Sequence, residues 1–168
     1  MINNLHDLYI HQIQDLKSAE TQILEALPKM IQRAQSKELR EAFEHHLEET
    51  KRQDQRLDVI LQRYNMAGQS ETCQAAKGII KEGEHLMSEL TGEATDPGLI
   101  TSAQRVEHYE IAAYGTAAEY ADVLDYDEDK KLLEETLDEE GNANKTLTKL
   151  ATGGFFSSGV NKEAVASA

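Results

Sequence analysis

The sequence predicts an all-α fold: a four-helix bundle of two antiparallel helical hairpins, joined by a long crossover that carries a short fifth helix. Three observations lead there. The chain has only two prolines and few aromatics, and is rich in the helix formers Ala, Leu, Glu, Gln and Lys. Apolar residues recur at helical spacing over four long stretches separated by polar breaks. The chain also echoes itself: a shift of 90 positions carries Glu20 onto Glu110 and Glu49 onto Glu139, and both pairs are 29 apart. Hairpins turning near positions 36 and 126 would bring each pair level and give the bundle an acidic centre.

The first helix is expected from about Asn4 to Ala34, with the stripe Leu5, Leu8, Tyr9, Ile13, Leu16, Glu20, Ile23, Leu27 and Ile31. Asn3 or Asn4 can cap it. Pro28 removes a hydrogen bond to the Leu24 carbonyl and should bend the helix. Ser36 caps the second helix, which runs to about Tyr64, with Gly68 as its stop. Residues 67–96 form the connection, with an amphipathic helix over about 72–90. That length lets the chain travel back along the bundle, making the second and third long helices parallel. Asp96-Pro97 reads as a cap followed by a first-turn proline. The third helix then runs to about Leu124, residues 125–129 make a charged turn, and the fourth helix ends near Ala151. The domain is expected over residues 1–151, and 152–168 as a flexible C-terminal tail, with Phe155 and Phe156 as residues able to dock on a neighbour.

The formal net charge of -14 argues against nucleic acid and against anionic membrane surfaces as partners. No apolar run approaches the length of a membrane span and no secretory leader is visible, so a location away from the membrane is expected. The single Cys73 excludes an internal disulfide framework and fits a reducing cytosol.

The chemistry is concentrated on the inward stripes. Glu107 and Glu110, three apart, share a helix face with Ala103, Val106, Tyr114 and Ala117. Ionised groups are rarely buried without partners. A glutamate on an apolar stripe is most simply a boundary residue with its head in water. Four helices each offering one at matching depth favours a different reading. Carboxylates that meet in a low-dielectric core must be protonated or bind cations. Two divalent cations would neutralise most of the cluster, and oxygen ligands suit hard ions such as iron, manganese, magnesium or calcium. The residues singled out as metal ligands are Glu20, Glu49, Glu107, Glu110, Glu135 and Glu139. Glu135 is chosen because Leu132, Glu135 and Glu139 follow one stripe. No nucleophile–base pair, phosphate loop or Cys/His zinc spacing is present.

Four stretches carry a family resemblance: S-A-E-T-Q around Glu20, H-L-E-E-T around Glu49, V-E-H-Y-E-I-A-A-Y-G around Glu107 and Glu110, and L-D-E-E around Glu139. Through them the chain, over about residues 1–151, resembles the ferritin-like superfamily and, more narrowly, the bacterial YciE/YciF-like stress proteins. The Glu-x-x-Glu of the third helix also resembles rubrerythrins. The resemblance implies a cytoplasmic homodimer with a dimetal site, iron or manganese. Bundles of this kind commonly use Glu-x-x-His on two helices. Here Arg52 follows Glu49 and Asn142 follows Glu139 at that spacing. His46, one turn before Glu49, is either a substitute ligand or a core histidine. Gln53 is either a weak ligand or a partner of one.

Two functions follow. One is a stress-response protein with a carboxylate-bridged dinuclear site and redox protection, such as peroxide reduction or ferrous oxidation. The other is a non-enzymatic helical dimer, an interaction or structural protein with an empty or adventitious metal site. Whether the protein is an enzyme stays open on the sequence.

Overall fold

The computed structural model describes residues 1–68, 71–154 and 158–165. Helices α1 (Leu5–Arg33) and α2 (Lys37–Arg63) form the first hairpin. The crossover carries α3 (Gln74–Glu89) and a 3₁₀ turn at Gly92–Ala94. Helices α4 (Thr95–Val123) and α5 (Asp127–Thr152) form the second hairpin, and a short α6 (Val160–Glu163) follows. The all-α, ferritin-like bundle expected from the sequence is the fold observed.

Local chemistry sets the ends of the helices. The Asn4 side chain accepts from the Asp7 amide at 2.8 Å, and that of Ser36 accepts from Leu39 at 3.2 Å, each satisfying an amide the helix leaves free. Helix α2 stops before Gly68, because Asn65 takes the left-handed conformation at φ 57°. Its amide and that of Met66 then bond back to the carbonyls of Gln62 and Leu61. Asp125, also at φ 57°, ends α4 by the same pair of bonds. Asn and Asp are the side chains that best tolerate this conformation. Helix α1 continues through Pro28 to Arg33.

Asp96 does something other than cap α4, which already begins at Thr95. Its buried carboxylate reaches across to the α1–α2 turn, accepting from the amides of Gln35 and Ser36 at 2.8 Å each. The start of the second hairpin thus pins the turn of the first. Asp96→Ala leaves both amides without that partner. It is expected to lower stability by about 2–3 kcal/mol, read as a fall in the urea midpoint at constant slope. An unchanged midpoint would show that the latch carries no weight.

In the bundle, α1 lies against α2 and α4, and α5 against α4 and α2. Ile23 and Leu27 meet Leu99 and Ala103, while Tyr9 and Ile13 meet Ala117 and Ala121, so α1 and α4 are antiparallel. Helices α2 and α4 therefore run parallel, as the long crossover requires. Helix α3 lies over α1 and α4. It is fastened at its start, where the Cys73 amide donates to Ser18 Oγ at 2.9 Å and Cys73 Sγ accepts from the Ala76 amide at 3.4 Å. At its far end Leu90 tucks against Gly98, where any β-carbon would lie 2.4 Å from the leucine side chain.

Two apolar belts fill the interior. One joins Tyr9, Ile13, Leu57, Ile60, Tyr114, Ala117 and Leu133; the other joins Ile23, Leu27, Leu39, Phe43, Leu99, Ala103 and Leu147. At the outer edge of the first belt, Asp129 accepts from Tyr9 at 2.9 Å and from Tyr64 at 2.6 Å, and pairs with Arg63, which stabilises its buried charge. Within the stretch read as a tail, Val160 packs on the second belt. Gly159, at φ 74°, lies so close to the backbone of Gly153 that a β-carbon would meet its nitrogen at 2.2 Å. Phe155 and Phe156 lie outside the described residues.

Candidate metal centre

Between the two belts every long helix turns a polar group inward. Helix α1 delivers Glu20, fully buried among Leu16, Ala19 and Ile23. Helix α4 delivers Glu107 and Glu110, 2% and 1% exposed. Helix α2 presents His46, Thr50 and Gln53 at steps of four and three, one buried helical stripe. Helix α5 presents Leu133, Thr136, Glu140 and Leu147, and Glu140 is fully buried.

His46, Glu107, Glu110 and Glu140 each bring one possible ligand atom to within 4.8 Å of the others. His46 Nε2 lies 3.4 Å from Glu107 Oε1 and 3.9 Å from Glu140 Oε2. Gln53 Nε2 donates to Glu140 Oε1 at 2.5 Å, and the Tyr114 hydroxyl donates to Glu20 Oε1. These bonds leave six buried atoms without a hydrogen-bond partner: Glu20 Oε2, His46 Nδ1, Gln53 Oε1, Glu107 Oε2, Glu110 Oε1 and Glu140 Oε2. So many orphaned polar atoms in one place are unusual in a folded core.

The electrostatics follow from burial. Loss of water, then the charge of Glu140, pushes Glu20 up to about 8, against the pull of the Tyr114 hydrogen bond. Burial raises Glu107 well above the usual carboxylate range, although His46 pulls it down. Burial, reinforced by Glu140, Glu20 and Glu107, does the same to Glu110. Burial alone would lower His46, but Glu107, Glu49, Glu140 and Glu20 outweigh it and hold the imidazolium up to about 10. Metal-free, the centre is a partly protonated acid cluster around one cation. Its donor set of carboxylate oxygens with one imidazole could hold a metal ion.

The residues expected as ligands divide. Glu20, Glu107 and Glu110 converge in the buried centre. Glu49 stands at its rim, with Oε1 3.2 Å from His45 Nε2 and Oε2 3.8 Å from His46 Nδ1; the neighbouring His46 imidazole is the main influence lowering its pKa. Glu139 and Glu135 face away from the buried four. Glu139 is clamped by Arg56 at 2.6 Å and by Gln53 at 3.0 Å, and the Glu135 side chain is 58% exposed and paired with the same arginine. The reason is rotational. The stripe Leu132, Glu135, Glu139 is one residue out of register with the buried stripe, and one residue turns a helix by about 100°. Glu140 is the inward carboxylate that this reading missed. Its signal was its place in line with Leu133, Thr136 and Leu147. His46 proves buried and central, whereas Arg52 lies outside, 4.0 Å from Glu139.

Known proteins share this fold and sequence pattern. Protein YciF of Escherichia coli (strain K12) is 39% identical over 165 residues, covering 97% of this chain and 96% of YciF. The crystal structure of YciF, described as a stress protein, matches with a TM-score of 0.84 over 89% of this chain and 95% of that one. YcfI of Rhodopseudomonas palustris, described as a candidate structural protein, matches with a TM-score of 0.86 and 38% identity over 89% and 96%. A protein from Xanthomonas campestris, 20% identical with a TM-score of 0.69, shares the fold. The resemblance to YciE/YciF-like proteins drawn from the motifs is therefore sound. The model of the family described as a domain of unknown function, DUF892, matches residues 4–164, and the chain belongs to that family.

Proposed function

We propose that this protein is a stress-response bundle whose centre holds two divalent metal ions, iron or manganese, for redox protection. The observation that carries this reading is the convergence of His46, Glu107, Glu110 and Glu140 within 4.8 Å, each with an unpartnered buried atom. Glu20 adds a fifth ligand from α1. When bound, the metals supply redox change at positions left open by the protein. The chain's own residues prepare that chemistry. Tyr114 orients the Glu20 carboxylate and Gln53 orients Glu140. The two apolar belts exclude water on either side, and the fixed charges replace it. The homodimer and the cytoplasmic setting implied by the family resemblance belong to the same proposal. No helix among the described residues is long and apolar enough to cross a membrane. Sedimentation velocity on the purified protein tests the dimer.

A second reading is favoured by the hydrogen bonds already inside the cluster. Tyr114 with Glu20, Gln53 with Glu140 and the ion pair of His46 with Glu107 neutralise part of the charge using protons alone. On that reading the protein is a structural or interaction dimer, in keeping with the description given to YcfI. Metal content after purification without chelator separates the two. The first requires iron or manganese near stoichiometry; the second requires none that survives dialysis.

The proton balance gives a further check. Ligation needs ionised carboxylates and a neutral imidazole. The raised values of Glu20, Glu107, Glu110 and His46 mean that binding must expel protons. Manganese affinity is expected to rise by ~10-fold or more for each pH unit between pH 6 and 8, where one or more protons leave per ion. Titrations in buffers of different ionisation enthalpy count those protons. An affinity flat over this range would exclude the buried carboxylates as ligands.

A further inference from the structure

Two cavities reach the buried centre from opposite sides, and both end on His46 and Glu107. The first, about 40 Å³, lies under α3 and has an apolar wall that includes Ile23, Leu27, Ile80, Leu99 and Val106. The second, about 100 Å³, opens between α2 and α5 past His45, Glu49, Asn142 and Ala143. A hydrated divalent cation gives up water reluctantly, so it needs ligands along its path. Among the described residues, the first cavity has only Ser102 and Glu84 before His46 and Glu107, and Glu84 is already paired with Lys29 at 2.6 Å. The slot offers ligands in series. The exposed His45 ring stands 3.2 Å from Glu49, whose other oxygen is 3.8 Å from His46 Nδ1. His46 is 7% exposed at its side chain, that nitrogen has no hydrogen-bond partner, and its Nε2 faces Glu107 at 3.4 Å.

We propose that the α2–α5 slot is the cation entrance, with Glu49 and His45 forming a capture station that hands the ion to His46 and Glu107. This rests on the metal-binding reading above. It assigns Glu49 to the route and not to the final ligand set, and it leaves the apolar cavity to small neutral molecules. The station explains why a carboxylate at the rim, 15% exposed, is held between two imidazoles and not paired with either of the nearby cations, Lys51 or Arg52.

The test is the rate and final amount of Co²⁺ and Mn²⁺ uptake by metal-free full-length protein, followed by absorption and by electron paramagnetic resonance. Glu49→Gln removes the charge of the station and Ala143→Leu narrows the slot. Each is expected to slow uptake by tenfold or more while the final metal per chain stays that of wild type. Ala26→Leu, which fills the apolar cavity, is expected to leave the rate unchanged. Circular dichroism melts check that all three variants are folded; Ala143→Leu carries the test if Glu49→Gln is not, and the reverse. Uptake at the wild-type rate in the folded slot variants would overturn the proposal, as would slowing by Ala26→Leu alone. A lower final metal count in Glu49→Gln would overturn it too, making Glu49 a ligand. No uptake by the wild type would remove the metal-binding reading itself, a result distinct from altered kinetics.

Discussion

Glu140→Gln is expected to weaken manganese or iron binding by ~100-fold or more, whereas Glu139→Gln changes it by less than ~10-fold. Loss of a group that merely orients a ligand typically costs 10- to 100-fold, and loss of a ligand costs at least as much. The two residues are adjacent in sequence but differ in surroundings. Glu140 is fully buried within 3.9 Å of His46, and Glu139 is bound by Arg56. The glutamine at 140 keeps its shape and can still accept from Gln53, so the fold should persist. Equilibrium dialysis of both variants against manganese decides the matter. Equal losses would return Glu139 to the ligand set and refute the register drawn for α5.

The second large effect is on stability, and its sign reverses with metal. In metal-free protein, Glu110→Gln is expected to stabilise the bundle by about 1–3 kcal/mol at pH 9, and by less at pH 6. Burial, then Glu140, Glu20 and Glu107, holds the Glu110 proton on. A carboxyl raised in the folded state takes up protons on folding. Its neutral form is accommodated below the unfolded value near ~4.3, and stability is lost as pH rises towards the folded value. For Glu20 that window ends at about 8. His46 acts in the same direction: its stabilisation is complete below ~6.5 and is lost as pH rises through its folded value of about 10. Metal-free wild type should therefore melt lower at pH 9 than at pH 6, and the glutamine variant should fall less. With metal at about 100 times its dissociation constant, wild type gains roughly 2.7 kcal/mol. The variant, lacking a ligand, should gain little of it. Melts with chelator and with excess manganese test both signs. A metal-induced rise that is missing in wild type, or equal in the variant, would favour the structural reading.

The architecture was legible because it rests on signals that are local and repeated. Helical spacing marked four long segments, Asn4 and Ser36 marked two starts, and the length of the crossover dictated parallel α2 and α4. The ends were harder to read. Asn65 closes α2 by adopting a left-handed conformation that glycine was expected to provide at Gly68. Asp96 sits where a cap belongs but spends its carboxylate on a turn some sixty residues earlier, a tertiary contact that no local pattern reveals. In the centre, Glu20, Glu107 and Glu110 stood out because their flanks are apolar. On α5 nearly every third residue is acidic, so charge alone could not fix the register, and only the line through Leu133 and Leu147 separates Glu140 from Glu139. His46 was undecided because its role depends on Glu107 and Glu140, which lie on two other helices.

The bond between Asp96 and the Gln35–Ser36 turn also orders events during synthesis. The first hairpin is synthesised before the residue that latches its turn. With Asp96 61 positions after Gln35 and roughly 5–20 residues added per second, the wait is about 3–12 seconds. In that interval Glu20 remains in water, ionised, hydrated and free of its later neighbours. Its desolvation is deferred until α4 and α5 dock and bring Glu107, Glu110 and Glu140 with them. A nascent chain that stalls before Asp96 therefore holds an open hairpin whose apolar face is uncovered, the kind of intermediate that chaperones bind.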